Sequence, residues 1–199
     1  YIFDLEDSVA KKEKKKSRKS LKEYLNSSKL RKPCIIRINS VQSEEIEEDL
    51  AELTSLPEEV IALMIPKVES SQDLEMLPDS VQLILLIETP LALKNLHLLV
   101  LDSRVKALAF GAADLSNRLG SDMSWNSLIY SRAKIILEAS ENNLFTIDSP
   151  FMLLNSEEEL EKECRLSKSM GFTSKAAIHP DQISIIKDCF LPTPDEIRE

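Results

Sequence analysis

Glycine is scarce in this sequence, with three residues in 199, and neither a GxGxxG nor a GxxxxGK[ST] motif occurs. Nucleotide binding through a glycine-rich phosphate loop is therefore excluded. The three cysteines are widely spaced, without a CxxC pair or a histidine at ligand spacing, which argues against a disulfide framework and a zinc site. No apolar run approaches the roughly 18 residues of a membrane span, and no signal peptide is visible. We therefore expect a cytoplasmic protein with reduced thiols.

The sequence has an excess of acidic residues, with a formal net charge of −9. This charge argues against general affinity for nucleic acid or for an anionic membrane. One basic cluster, residues 11–19, has the opposite sign. Such a cluster is typical of the solvated face of a helix, and a docking surface for a phosphate-bearing ligand is the alternative.

Apolar runs and amphipathic segments alternate along the chain. The runs are continuous rather than alternating, which is typical of a parallel sheet covered on both faces. The predicted strands are residues 1–5, 34–38, 60–66, 82–88, 107–110, 144–148 and 176–178.

Several of the segments between these strands have apolar residues at helical spacing, which predicts amphipathic helices. The interval 44–55 places Ile46, Leu50 and Leu53 on one face. A second helix, 128–139, is predicted to be capped by Asn126 or Ser127. A third, 157–170, begins after Ser156 in a capping box with Glu159 and ends at Gly171.

Seven strands with six intervening helices predict an α/β fold, a (β/α)8 TIM barrel lacking one unit, as a single catalytic domain over residues 1–199. A doubly wound sheet is the alternative, but it would be expected to have a glycine-rich turn after its first strand. The chain opens inside a strand and stops where 192–199 begins a helical pattern. We therefore expect a fragment, or the ordered part, of a longer protein.

Two apolar runs carry carboxylates at their ends, Glu88 after VQLILLI and Asp114 after RVKALAFGAA. Because functional residues of a barrel gather at the C-terminal ends of strands, these two acids are expected to lie close together. A hard divalent cation stabilises like charges so placed, and magnesium keeps its other positions for water and substrate oxygens. The sequence predicts a metal-assisted enzyme with Mg²⁺ bound by Glu88 and Asp114. Helix capping or pairing with lysine is the alternative role of such acids.

Further polar side chains follow strands at the same expected edge. Glu6 and Asp7 end the first strand segment, and Arg37 lies within the apolar run IIRIN. Arg37 either neutralises Glu6 or Asp7, or clamps a substrate carboxylate or enolate oxygen with its planar fork, and both roles can hold at once. Lys67 and Glu69 follow the next strand, and a structural Lys–Glu contact is expected for at least one of them.

Gly111 and Ala112 form a small-residue turn before Asp114. Such a turn allows either close approach of a ligand to the backbone or tight strand-to-helix packing. We expect Gly111 and Ala112 to bind substrate together with Arg37 and Glu88. His179 is a candidate general base, although a hydrogen-bonded structural histidine is favoured.

Six short segments, in this order along the chain, resemble the citrate lyase beta-subunit family of the aldolase and citrate lyase group of phosphoenolpyruvate/pyruvate-type barrels. They are FDLEDSV at 3–9, IIRIN at 35–39, IPKVES at 65–70, LIET at 86–89, FGAADL at 110–115 and GFTSKAAIHPDQI at 171–183. Together they span nearly the whole chain. The family's LFVPG-like first strand and its C-terminal extension have no counterpart here, in agreement with a longer parent protein.

The resemblance implies a role for each residue that matches the motifs. Glu88 and Asp114 would ligate magnesium, Glu6 and Asp7 would hold metal-bound waters, and Arg37 would contact the keto-acid or carboxylate end of the substrate. These implied roles make Arg37, Glu6 and Asp7 the expected catalytic residues.

The chemistry implied by the resemblance is reversible cleavage of a carbon–carbon bond beside a carboxylate. A carbon–carbon lyase would act on a citryl-, malyl- or citramalyl-type thioester of coenzyme A or an acyl carrier protein, through an oxaloacetate-, pyruvate- or glyoxylate-like fragment. Relatives form homotrimers or larger homo-oligomers, so a homo-oligomer is expected. The alternatives are an aldolase acting on free hydroxy-keto acids and a non-catalytic ligand-binding barrel. The chain departs from the family at Ala113, where relatives more often have Glu, which leaves the particular substrate open.

Overall fold

A computed structural model describes residues 1–27, 32–53 and 56–192. The strands in these residues are β1 Ile2–Asp4, β2 Cys34–Arg37, β3 Val60–Ile65, β4 Leu83–Ile87, β5 Val105–Phe110, β6 Phe145–Asp148 and β7 Ser174–Lys175. The α-helices are α1 Lys14–Leu25, α2 Ile46–Glu52, α3 Gln72–Glu75, α4 Pro90–Leu99, α5 Ala112–Leu119, α6 Trp125–Glu141, α7 Glu157–Met170 and α8 Gln182–Phe190, and a 3-10 turn at Lys11–Glu13 precedes α1.

The strands form one parallel sheet in sequential order from β1 to β7. Connections between parallel strands are almost always right-handed, so a sheet that never reverses its order keeps its helices on one face. The predicted α/β class is confirmed, and the sheet is curled into a half-barrel. A doubly wound sheet requires a reversal of strand order, and the described strands have none.

Two hydrophobic clusters cover the two faces of the sheet. The larger cluster joins strand residues such as Leu63 and Leu85 to helix residues such as Leu96 and Leu128. The smaller cluster consists of buried strand residues alone, namely Ala62, Met64, Ile84, Leu86, Ala107 and Ala109. Their side chains lie on the concave face, as the two-residue period of a strand requires.

Six of the predicted strands overlap observed strands, and the seventh is a correction. The predicted strand at 176–178 lies instead at Ser174–Lys175, where these residues pair with Ile147 and Asp148 of β6. Lys175 is buried in an ion pair with Asp148 at 2.8 Å. The search for apolar runs missed this strand because its buried position holds a lysine and not an apolar residue.

The helix ends differ from prediction in two places. Helix α6 begins after Ser124, whose side chain accepts a hydrogen bond from the Ser127 backbone N–H, so neither Asn126 nor Ser127 is the cap. Ser156 precedes α7, but its side chain accepts no capping hydrogen bond from a backbone N–H of the helix, so the predicted capping box is wrong. Gly171 ends α7 in the left-handed conformation, as predicted.

Parts of two predicted helices lie outside the described residues. The end of the predicted helix at 44–55 and most of the predicted helical start in 192–199 belong to this part of the chain. On the observed α2 face, Ile46 and Leu53 are buried and Leu50 packs against the core, as predicted. The cysteines are free thiols. In the described part of the chain, no helix has both the length and the apolar character that crossing a membrane requires.

The basic cluster is only partly a solvated face. Arg18 is buried and forms ion pairs with Glu45, Glu48 and the fully buried Asp49. Asp49 accepts hydrogen bonds from the backbone and side-chain amides of Asn39, each at 2.7 Å. These contacts join α1 to α2, and they join α2 to Asn39, which follows β2.

Candidate metal and substrate site

Side-chain alternation brings the predicted site residues to one edge of the sheet. Ile84 and Leu86 of β4 lie on the concave face, and Glu88 follows in the same two-residue period. On β2, Arg37 follows Ile35 in the same way. Since the strands are parallel, both polar groups leave the sheet at its C-terminal edge.

A cleft of about 340 Å³ opens at this edge. It is lined by Asp7, Arg37, Leu86, Glu88, Phe110, Gly111, Ala112, Ala113, Asp114, Met123, Ser149, Pro150, Met152 and Ile178. Glu6 is buried beside the cleft and contacts Arg37 and Lys67. The structure brings the predicted metal, catalytic and substrate-binding residues together, without the candidate base His179, and their chemical roles stay predictions.

Glu88 is the buried carboxylate of the cleft, with 4% of its surface exposed. Its Oε1 accepts a hydrogen bond from the Lys67 backbone N–H at 2.9 Å. Burial and the negative charges of Glu6 and Asp114 raise the pKa of Glu88 to about 8. The ionised form of Glu88 is therefore disfavoured until a cation comes close.

Gly111 is required by the close approach of Glu88. A Cβ atom at position 111 would lie 2.5 Å from Glu88 Cβ and 2.8 Å from Glu88 Oε2, distances that real Cβ atoms do not tolerate. The backbone φ of Gly111 is −96°, so the requirement is for space and not for a left-handed conformation. The contact at Gly111 is thus with the Glu88 carboxylate after the neighbouring strand, and not the strand-to-helix packing considered from the sequence.

Arg37 uses its planar fork on Asp4, an acid that sequence reasoning did not single out. The guanidinium donates from Nε to Asp4 Oδ1 at 2.7 Å and from Nη2 to Oδ2 at 2.5 Å. Burial opposes ionisation of Asp4, but the hydrogen bonds from Arg37, Ser8 and the Glu6 backbone hold its pKa at about 2. Arg37 Nη1 also lies 3.2 Å from Glu6 Oε2. The predicted charge-balancing role of Arg37 toward Glu6 is observed.

Lys67 contacts the other acids of the site. Its Nζ lies 2.5 Å from Glu6 Oε1, 3.3 Å from Asp7 Oδ2 and 4.0 Å from Asp114 Oδ2. The predicted structural Lys–Glu contact is thus present, with Glu6 as the partner. The backbone φ of Lys67 is +54°, a left-handed conformation that costs a lysine about 1–3 kcal/mol and clusters at functional sites.

The donor set fits a hard divalent cation. Five carboxylates meet at the cleft, from Asp4, Glu6, Asp7, Glu88 and Asp114, and in the described residues two cations, Arg37 and Lys67, form ion pairs with four of them. Negative charge is therefore in excess at the cleft. Among residues 1–27, 32–53 and 56–192, no group of three or more His, Cys, Asp or Glu side chains could hold a metal ion. A metal ion held by the two predicted ligands, Glu88 and Asp114, would leave most coordination positions to water and substrate, as magnesium does.

A second charged cluster lies behind the cleft wall, on the helix-facing side of β6. Asp148 is fully buried and contacts Arg132 Nε at 3.0 Å, Lys175 Nζ at 2.8 Å and the Ser167 hydroxyl. Lys175 also donates to the Ser149 carbonyl at 2.6 Å, and Ser149 lines the cleft. Burial opposes ionisation of Asp148, but the charges of Lys175 and Arg132 outweigh it and lower its pKa. Sequence reasoning missed this cluster, although Asp148 is also an acid at a strand end.

His179 lies away from the acidic cleft. It borders a separate small cavity with Leu160, Gln182 and Ile185. Its Nδ1 accepts a hydrogen bond from the Asp181 backbone N–H at 3.3 Å, in agreement with the structural interpretation.

The chain resembles known proteins over nearly its whole length. Residues 1–180 match the family described as HpcH/HpaI aldolase/citrate lyase. The mitochondrial citramalyl-CoA lyase of Rattus norvegicus is 31% identical over 226 residues, which cover 99% of this chain and 66% of the rat protein. The chain thus spans slightly less than two thirds of the length of that relative.

Two solved structures share the fold. RipC from Yersinia pestis superposes with a TM-score of 0.89 at 32% identity, covering 99% of this chain and 91% of RipC. The citrate lyase beta subunit from M. tuberculosis, complexed with oxaloacetate and magnesium, superposes with a TM-score of 0.85 at 26% identity, covering 96% of this chain and 86% of that protein. The sheet order and the acidic cleft agree with this match to residues 1–180, and the chain therefore belongs to the HpcH/HpaI aldolase/citrate lyase family.

Proposed function

We propose that this chain is the catalytic domain of a magnesium-dependent carbon–carbon lyase that cleaves or forms a 3-hydroxy-acid thioester of citryl, malyl or citramalyl type. The observation that carries the proposal is the buried Glu88 carboxylate, close to Asp114 and Arg37 at the C-terminal edge of the sheet. The relatives support it, because one is named a citramalyl-CoA lyase and another holds oxaloacetate and magnesium.

Glu88 and Asp114 would hold the ion. Bound Mg²⁺ supplies Lewis-acid chemistry toward a carboxylate and its adjacent oxygen. Arg37, which Asp4 and Glu6 hold in place, would bind the carboxylate end of the substrate and stabilise negative charge on the enolate or carbonyl oxygen. Cleavage of the carbon–carbon bond converts the hydroxyl carbon to the carbonyl of a keto acid, and the hydroxyl proton passes, in net, to the carbon of the acyl thioester that leaves. Gly111 and Ala112 form the wall beside the substrate, where small side chains leave room for it.

Glu6 and Asp7 orient water at the site and are themselves oriented by Lys67. The second fragment of the reaction is an acetyl or acyl thioester, carried on coenzyme A or on an acyl carrier protein. The apolar side chains of Met123, Met152 and Ile178 at the cleft support an acyl substrate.

A substrate panel tests this function. Purified protein with Mg²⁺ is incubated with the coenzyme A thioesters of citrate, malate and citramalate, and with free hydroxy-keto acids, while calorimetry measures the affinity for oxalate and oxaloacetate. Cleavage of a thioester supports the lyase. Cleavage of free acids alone would identify an aldolase. Magnesium-dependent binding without any cleavage would identify a ligand-binding barrel.

Arg37→Lys is expected to lower kcat/KM by at least about tenfold, because lysine keeps the charge but cannot form the planar fork. Thermal unfolding is measured in parallel, since the variant also loses the two-point contact with Asp4. Arg104→Lys is the matched control, because Arg104 binds Asp102 and the backbone carbonyls of Leu74 and Leu77 outside the cleft. A less stable Arg37→Lys protein with near-normal kcat/KM would restrict Arg37 to internal charge balance.

We further propose that the seven strands belong to a (β/α)8 barrel, supported by their sequential parallel order. A homo-oligomer is proposed on the exposed apolar surface of Met152, Leu153 and Leu154, next to the cleft. Light scattering is expected to give a multiple of 22.5 kDa for this chain. A strict monomer with full activity would contradict the oligomer.

A cytoplasmic location is proposed on the free thiols of Cys34, Cys164 and Cys189. The rat relative is mitochondrial by name, so that organelle is the alternative compartment. Fractionation of cells that express the protein separates the two.

A further inference from the structure

Lys67 contacts all four acids that the sequence predicts at the site. Its ammonium group lies 2.5 Å from Glu6, 3.3 Å from Asp7 and 4.0 Å from Asp114. Its backbone N–H donates to Glu88 Oε1 at 2.9 Å. Lys67 therefore contacts both expected metal ligands, Glu88 and Asp114, and also Glu6 and Asp7.

The backbone conformation is what brings Lys67 into this position. In β3, Leu63 and Ile65 pack toward the helices, so a regular continuation of the strand would place residue 67 on the same side, away from the acids. The left-handed φ of +54° interrupts that alternation directly after the strand. The ammonium group is thus directed into the acidic cluster at the cost of an unfavourable backbone conformation.

The position of Lys67 has two consequences for a cation that binds nearby. A positive charge close to Asp114 repels a divalent ion bound there. The same ammonium group neutralises charge on Glu6 and Asp7, which would otherwise attract a divalent ion at the neighbouring Glu88–Asp114 pair. Both effects weaken divalent cation binding. Because Glu6 is buried, solvent and salt screen its interaction with Lys67 only weakly, and the effects are larger than they would be at an exposed site.

We propose that Lys67 is a built-in counter-ion that lowers the affinity of the Glu88–Asp114 pair for divalent cations. The inference rests on the proposed magnesium site. Weak metal binding leaves coordination positions to substrate oxygens, so that metal and substrate carboxylate bind together. Lys67 is thus a positioning residue, because it affects the substrate only through the affinity and coordination of the ion.

The test is the affinity of the substrate-free protein for Mn²⁺, followed by electron paramagnetic resonance, and for Mg²⁺, followed by calorimetry. Lys67→Met is expected to bind both ions at least about tenfold more tightly than the unmodified protein, because one repulsive charge is removed and the negative charges of Glu6 and Asp7 are no longer neutralised. Lys67→Gln retains a hydrogen-bond donor without the charge and is expected to show the same tightening. Lys67→Arg retains the charge and is expected to stay within about threefold of the unmodified protein.

Lys106→Met is the matched control, since it removes one positive charge from an exposed lysine on β5 that bonds the Ser103 carbonyl outside the cluster. Unchanged or weaker metal binding in both Lys67→Met and Lys67→Gln, with native circular dichroism, would overturn the inference and make Lys67 a structural support of the ligands. Unchanged or weaker binding in the two variants leaves the proposed magnesium site intact as long as the unmodified protein itself binds Mg²⁺. If neither the unmodified protein nor the Lys67 variants bind metal, both proposals fail.

Discussion

Replacing Glu88 by glutamine is expected to lower kcat/KM by at least about a thousandfold while the protein remains folded, because the loss of the charge proposed to bind magnesium removes several kcal/mol of transition-state stabilisation. Glutamine has the shape of glutamate, and its side-chain oxygen can still accept the hydrogen bond from the Lys67 backbone. The change also removes the repulsion among Glu88, Glu6 and Asp114 that raises the pKa of Glu88. The metal-free variant is therefore expected to unfold at the same temperature as the unmodified protein, or at a higher one.

Three measurements check this expectation. They are kcat/KM on the thioester that the substrate panel identifies, the unfolding temperature in chelator, and the rise in unfolding temperature when Mg²⁺ is added. A ligand that binds only the folded state raises this temperature, so the Mg²⁺-dependent rise should be lost in Glu88→Gln. Glu75→Gln, at an exposed glutamate of α3, is the matched control. Retention of both turnover and the Mg²⁺-dependent rise would remove Glu88 from the proposed metal site.

The second large effect is expected at the buried cluster behind the cleft wall. Asp148→Asn keeps the shape of the side chain but leaves Arg132 and Lys175 buried without their shared carboxylate. Breaking a buried ion pair from one side typically costs about 3–5 kcal/mol. For a domain of this size, such a loss lowers the unfolding temperature on the order of 10 °C. Chemical denaturation and calorimetry measure both quantities.

An exposed ion pair on α7 provides the contrast. Glu161→Gln breaks the pair between Glu161 and Arg165, which is largely solvated, and is expected to leave the free energy of unfolding nearly unchanged. If Asp148→Asn costs no more than Glu161→Gln, then the cluster does not hold β6, α6 and α7 together.

The pH dependence of Asp148→Asn gives an independent check. Lys175 and Arg132 lower the pKa of Asp148 in the folded state below its ordinary value of 3.8. The unfolded chain therefore binds this proton first on acidification, and the stabilisation is fully present above that value and lost as the pH falls through the folded pKa. The stability difference between the unmodified protein and Asp148→Asn should thus shrink at strongly acidic pH. A difference that stays constant would point to lost packing instead of lost charge.

Much of the fold was accessible from local patterns. Continuous apolar runs identified six of the strands, because a strand buried on both faces needs apolar residues at every position. The left-handed Gly171 at the end of α7 was also predictable, since its conformation depends on the residue itself. The seventh strand was misplaced because Lys175, and not an apolar residue, fills its buried position.

Four of the five acids at the cleft were likewise predictable, Asp4 being the exception. Glu6, Glu88 and Asp114 each follow a strand, and parallel strands in sequential order must place their ends at one edge. The sequence by itself therefore determined the α/β class, the edge of the sheet that carries the site, and most of the acids that gather there.

Only the tertiary structure decided which groups contact one another. Asp4 occupies the fork of Arg37, Lys67 turns into the acidic cluster through a left-handed backbone conformation, and Asp148 lies on the opposite face of the sheet from the cleft. These contacts join residues as much as 61 positions apart along the chain, as between Glu6 and Lys67. Local patterning specifies where a strand ends and which face a side chain takes. The pairing of buried charges depends on distances in three dimensions that neighbouring residues in the sequence do not encode.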